Sequence, residues 1–360
     1  DTILTNRWLG FPVLILFMWI MFQTTFTLGT YPQEWLESGV AWLGDFVSQL
    51  VPDGIFRDLL VDGIITGVGG VLVFLPNILI MFLFISLLED SGYMARAAFI
   101  MDRLMHRMGL HGKSFIPYLI GFGCSVPAIM ATRTLENKKD RLLTMLTIPF
   151  MSCSARLPVY LLLVSAFFSE YQGLILLGVY MIGVLVAVVT AAVLNKTLFK
   201  NETDQFVMEL PPYRIPTVRN TLIHMWEKSV MYLKKMGTVI LFASIVIWAL
   251  CYFPHKENAT TAEQMEFSYM GQIGYAIEPA IEPLGFDWKM GVGLLSGLPA
   301  KEIIVSSLGI LYEDSETSSL NATLRQQFDA IGSPHLSPLR AFSYILFVLL
   351  YFPCMATLVA

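Results

Sequence analysis

The sequence predicts an all-α polytopic membrane protein, arranged as two inverted repeats with broken, re-entrant helices. Composition predicts the class: of 360 residues, 55% are hydrophobic and 14% charged, where a soluble domain carries about 25% charged residues. Several apolar runs reach roughly 20 residues, the length that crosses a bilayer core. Other apolar runs are cut by Gly and Pro. Hydrocarbon tolerates such a break only where protein or water covers the bare peptide groups. The net charge of −5 says little, because the placement of Lys and Arg sets orientation in a membrane. No basic patch with interleaved aromatics points to nucleic acid. The start at Asp1, without a signal-peptide pattern, and the end at Ala360 inside an apolar run predict a piece of a longer chain.

Residues 8–29 read as a first transmembrane helix, with Arg7 on its N-terminal side. Residues 30–58 are acidic and amphipathic. Trp35, Leu36, Val40, Leu43, Phe46, Val47 and Leu50 share one helical face, which predicts a segment lying on the outer membrane surface. Residues 64–88 form a second span with Pro76-Asn77 near its middle. Asn77 can satisfy the carbonyl that Pro76 frees or face an ion. Residues 89–114 and 132–141 are basic and flank the short apolar stretch 115–131, which holds Pro117, Gly121, Gly123 and Pro127. Basic loops on both sides predict a hairpin that enters and leaves on the cytoplasmic face. Glu89, Asp90, Tyr93, Arg96 and Asp102, at that boundary, read as structural ion pairs rather than an ion vestibule.

Residues 142–168 cross outward, interrupted at Pro149 and Pro158, and 173–195 cross back. Residues 196–228 form a cytoplasmic linker with Lys196, Lys200, Arg214 and Arg219. Residues 229–253 cross outward, and 254–286 are acidic and external. Residues 290–311 hold Gly291, Gly293, Gly297, Pro299 and Lys301-Glu302. A polar stretch covers 313–337, and 338–360 begin a last span with Pro353-Cys354. The sequons at Asn201, Asn258 and Asn321 carry little weight.

A weak internal repeat organises these pieces. Gly121 precedes Pro127-Ala128 by six residues, as Gly293 precedes Pro299-Ala300, and Cys-Ser-Ala-Arg-Leu (153–157) echoes Cys-Met-Ala-Thr-Leu (354–358). Three spans between the hairpins invert the second unit, a design common in secondary transporters. The expected units are 1–63 (first helix and external segment), 64–168 (first repeat), 169–228 (helix and linker) and 229–360 (second repeat, cut short).

Three of the four cysteines, Cys124, Cys153 and Cys354, sit at Gly/Pro breaks, where freed backbone groups and soft sulfur make an ion site. Cysteine also packs well between helices, and Cys251, with no break at its position, is read that way. No disulfide is expected in these apolar segments. Met130 and Met151 add candidate thioether ligands and Ser125 and Ser152 candidate hydroxyls, each against a packing role. Glu302 is an intramembrane carboxylate, a functional candidate by default. Gly109–Ser114 (GLHGKS) has two residues between its glycines where a P-loop needs four. There is no HExxH and no Ser/His/Asp spacing, so no enzyme chemistry is expected of this chain.

The stretches LEDSGYMARAAFIMDRLMHRMGLHGKSFIP, GFGCSVPAIMATRTLENKKDRLLTMLTIPFMSCSARLPVY, GLPAKEIIVSSLGILY and YFPCMATL resemble the membrane region of the bacterial ferrous iron transport protein B family. The resemblance implies two Gate segments of nucleoside-transporter type and Fe²⁺ uptake across the bacterial inner membrane. It maps the family's Gate cysteines onto Cys124, Cys153 and Cys354. Ser296 or Gly297 stands where the second segment would repeat Cys124, so the halves are chemically unequal. An N-terminal G-protein domain using GTP and Mg²⁺ would precede Asp1, and small cytoplasmic proteins of the same system are implied partners. Sulfur ligands suit Zn²⁺ and Cu⁺ as well as Fe²⁺, so another soft-metal transporter, an organic-solute carrier of nucleoside type and a non-transporting membrane receptor are the rival expectations.

Overall fold

The computed structural model describes residues 10–168, 170–198, 216–255, 261–312 and 337–360. Helices make up the regular structure of these residues, and no strand occurs among them. Among the described residues, six helical stretches are long and apolar enough to cross a membrane: Gly10–Leu50, Ile55–Asp90, Lys138–Phe167, Gln172–Thr197, Arg219–Tyr252 and Pro338–Val359. The chain is a multi-pass α-helical membrane protein. Lys200, Arg214, Asn201, Asn258, Asn321 and nearly all of the polar stretch expected at 313–337 lie outside the described residues.

The first helix departs from expectation. α1 (Gly10–Leu50) runs unbroken for 41 residues, through Pro32, about 60 Å at 1.5 Å per residue. That is twice the hydrocarbon thickness. Residues 30–50 therefore extend α1 instead of forming a separate surface segment. The chain turns over 51–54 and returns as α2 (Ile55–Asp58), a π-helical stretch (Leu59–Ile65), α3 (Thr66–Val73) and α4 (Leu75–Asp90), which pack back along α1. Small residues allow the approach, as in other membrane helix pairs. Gly69 faces Val40 and Gly44 faces Val61, while Gly29 lies so close to α4 that a Cβ there would overlap Asn77 Oδ1. Trp35, Trp42 and Phe46 stay exposed on the outer side. Gly29→Ala forces the Asn77 amide from its place and from its bond to Gln33, and is expected to cost about 1–3 kcal/mol, read as a lowered thermal midpoint in detergent. An unchanged midpoint would refute the close contact.

α5 (Tyr93–Arg107) follows the left-handed Gly92 and buries Met94, Ala97, Ala98, Met101 and Met105 along one face. The charges at this boundary are structural. Lys228 Nζ lies 2.7 Å from Glu89 Oε2, Thr221 donates to Asp90 at 3.1 Å, and the Gly112 N–H donates to Asp102 Oδ1 at 2.8 Å. Exposed pairs of this kind contribute little stability.

Each predicted hairpin is two short helices packed on one another: α6 (Phe115–Gly121) with α7 (Ser125–Ala131), and, farther along, α14 (Trp288–Ser296) with α15 (Ile303–Tyr312). Between them lie α8 (Lys138–Thr147), α9 (Leu157–Phe167), α10 (Gln172–Leu198), α11 (Val218–Tyr252), α12 (Thr261–Phe267) and α13 (Tyr269–Ile281). α16 (Ser337–Leu350) and α17 (Met355–Val359) end the chain. At 7–10 residues each, the hairpin helices are too short to cross a bilayer.

Two apolar cores hold the assembly. The first gathers α4 to α8 with parts of α1, α10 and α11, and the second gathers α9 and α13 to α16. The two broken spans exchange cores at their breaks. Leu143 of α8 belongs to the first core and Val159 of α9 to the second; Ile345 of α16 belongs to the second and Ala356 of α17 to the first.

Candidate ion pathway

A cavity of about 350 Å³ lies where the breaks of the two hairpins and of the two broken spans meet. Its wall takes Gly123, Cys124 and Ser125 from the first hairpin break, Cys153 and Arg156 from the break between α8 and α9, and Pro299 to Glu302 from the second hairpin break. Cys354 and Thr357 come from the last break, Thr25 and Gln33 from α1, Asn77 from α4 and Tyr232 from α11.

Local backbone chemistry places the thiols. Cys124, Cys153 and Cys354 are each extended, with ψ of 131°, 163° and 152°, and each immediately precedes a helical turn. The two halves brace their breaks alike. The residue after Cys153, Ser154, donates its backbone N–H to Gly123 O at 3.1 Å and its hydroxyl to the same oxygen at 2.9 Å. The residue after Cys354, Met355, donates its N–H to Leu298 O at 2.9 Å. Each span break is thus tied to the break of one hairpin.

Buried cations serve the remaining bare carbonyls. Arg156, 2% exposed, donates to Pro149 O at 3.0 Å and to Met151 O at 3.2 Å. Lys301, also 2% exposed, donates to Phe352 O at 2.7 Å and sits 3.5 Å from the centre of the Tyr351 ring. Glu302, beside it in sequence, makes no ion pair among the described residues. Asn77 Nδ2 donates to Gln33 Oε1 at 2.9 Å, which leaves Asn77 Oδ1 without a hydrogen bond.

Of the eight candidate ligands, Cys124, Cys153, Cys354, Ser125 and Glu302 line this one cavity. The other three face elsewhere: Met151 is 4% exposed in the first core, Met130 packs against it, and Ser152 hydrogen bonds Tyr160 Oη at 3.0 Å. All four cysteines are free thiols, and Cys251 packs against the second core, off the cavity. No three His, Cys, Asp or Glu side chains among the described residues are grouped closely enough to hold a metal. The five candidates thus share one wall without forming a closed coordination sphere among the described residues. Arg156, Lys301, Gln33 and Tyr232 were not singled out from sequence as site residues. For the two cations the available signal was a fixed charge inside an apolar run, which has to find a partner.

The Gate family model, described as nucleoside recognition, matches residues 71–167 and 233–360. The model of the ferrous iron transport protein B C terminus matches residues 176–228. The chain is 54% identical over 397 residues to a Fe(2+) transport protein A/Fe(2+) transporter FeoB fusion protein of Porphyromonas gingivalis, covering 100% of this chain and 47% of that protein. It is 47% identical over 363 residues to the Fe(2+) transporter FeoB of Campylobacter jejuni, covering 99% and 59%. With that of Staphylococcus aureus it shares 44% identity over 372 residues, covering 100% and 54%. The chain therefore spans about half the length of the curated relatives it matches. No solved structure matches it. The chain belongs to the Gate family, in the form carried by the membrane part of ferrous iron transport protein B.

Proposed function

We propose that this chain is the membrane-permeation part of a ferrous iron uptake transporter in the bacterial inner membrane. The meeting of both hairpin breaks and three free thiols at one cavity carries the reading. Thiolate and carboxylate suit a divalent first-row metal, though softness alone does not separate Fe²⁺ from Zn²⁺; the names of the relatives favour iron. Fe²⁺ is cargo, handed along Cys124, Cys153 and Cys354 with Glu302 supplying negative charge and Ser125 a hydroxyl. The hairpins are re-entrant and the halves are inverted repeats. The paired ties of Ser154 to Gly123 and Met355 to Leu298 support this, as does a Gate match over each hairpin. Control falls to a GTP-binding, Mg²⁺-dependent domain outside this chain. A small partner protein is supported by the fusion named in Porphyromonas gingivalis.

The rival reading, an organic-solute carrier, draws on the family description of nucleoside recognition. Full-length protein in proteoliposomes separates the two. Fe²⁺ is expected to accumulate, and excess uridine is expected to leave its rate unchanged. Uridine entry without Fe²⁺ entry would overturn the assignment.

A further inference from the structure

Lys301 is a buried basic side chain in a wall that has to accept a cation. Its ammonium is buried, makes no ion pair among the described residues, and is held by the Phe352 carbonyl at 2.7 Å and by the Tyr351 ring at 3.5 Å. Tyr351 is anchored in turn, its hydroxyl donating to Leu294 O at 3.3 Å. The residues holding the ammonium immediately precede Pro353-Cys354, and Lys301 itself immediately precedes Glu302. The ammonium thus bolts the break of the last span to the break of the second hairpin, between two of the candidate ligands. Arg156 differs. It braces Pro149 and Met151, both within its own span, and joins no second break.

We propose that Lys301 is a gating counter-cation: it occupies the second half of the pathway electrostatically when no metal is present, and a divalent ion reaching Cys354 and Glu302 displaces it. Two like charges on one wall of low dielectric repel strongly, so the ion and the seated ammonium exclude each other. Displacement breaks the bond to Phe352 O and loosens the last break on the hairpin, leaving only the ties of Met355 to Leu298 O and of Tyr351 to Leu294 O, which couples metal arrival to movement of the last span. The ring contact keeps the cost of seating a charge there low while it waits. This inference rests on the iron-transport reading above.

The test is metal affinity in the full-length protein in detergent, with Co²⁺ as the probe and its thiolate charge-transfer absorption as the readout. Lys301→Met keeps the length and removes the charge. It is expected to bind Co²⁺ about tenfold tighter or more, since the repulsion is gone, while Lys301→Arg stays close to wild type. A side chain that only held the fold would give the opposite sign, weaker binding in the Met variant. Tyr351→Leu keeps the ammonium but removes its seat. It is expected to tighten binding in the same direction, and it carries the test if the Met variant fails to fold. Equal or weaker Co²⁺ binding in the folded variants overturns the proposal while wild-type binding leaves the transport reading standing. Absence of any thiolate signal in wild type overturns both.

Discussion

Serine at Cys124 and Cys153 together is expected to abolish Fe²⁺ uptake by the full-length protein in proteoliposomes. Both thiols line the cavity, and they come from opposite sides of the bond that ties Ser154 to Gly123. Oxygen in place of sulfur leaves the shape nearly intact but replaces a soft anionic ligand with a neutral hydroxyl. Loss of even supporting interactions at metal sites costs about 10–100-fold, so loss of two ligands is expected to bring the rate to the liposome background. Cys354→Ser alone is expected to slow uptake, and Cys251→Ser to leave it at the wild-type rate, because Cys251 packs in the second core. Equal loss at Cys251 would show that proximity to a break does not mark the route.

Arg156→Met is expected to produce the largest loss of stability. The guanidinium is the donor for two carbonyls that the interruption after α8 strips of helical partners, Pro149 O at 3.0 Å and Met151 O at 3.2 Å. Methionine fills similar space and donates nothing. Leaving a buried carbonyl bare costs about 1–3 kcal/mol, so the pair amounts to roughly 2–6 kcal/mol before any repacking. Thermal unfolding in detergent would register it, with faster amide exchange over 148–154. Arg156→Lys should recover part of the loss, since one nitrogen, Nη1, serves both carbonyls and the shorter lysine also brings one nitrogen with several protons to donate. A midpoint equal to wild type would mean that water satisfies these carbonyls.

The sequence disclosed the class and the positions of the breaks, because Gly and Pro leave local marks that need no knowledge of neighbours. Cys124 and Cys354 stood out for that reason. Periodicity reports which residues share a face and is silent on what covers that face. The stripe from Trp35 to Leu50 therefore read as a surface helix, whereas Trp35, Trp42 and Phe46 are exposed and Val40 of the same stripe meets Gly69 of α3. The same blindness bears on Met130, Met151 and Ser152. Met151 and Ser152 adjoin Cys153 in sequence, yet the non-helical stretch after Phe150 directs them into packing and a bond to Tyr160. The exchange of cores at the span breaks, and the seating of Arg156 and Lys301, depend on contacts between segments far apart in the chain. Only the short echo around Cys153 and Cys354 hinted at them.

The account depends on Cys124, Cys153 and Cys354 facing one hydrophilic route that a metal ion enters. Reaction of single-cysteine variants with a small, charged thiol reagent, with and without Fe²⁺, tests this most directly. The account predicts that each of the three reacts and that Fe²⁺ slows all three, while Cys251 reacts slowly and ignores the metal. Three thiols inert to the reagent, or modified at rates indifferent to Fe²⁺, would contradict it.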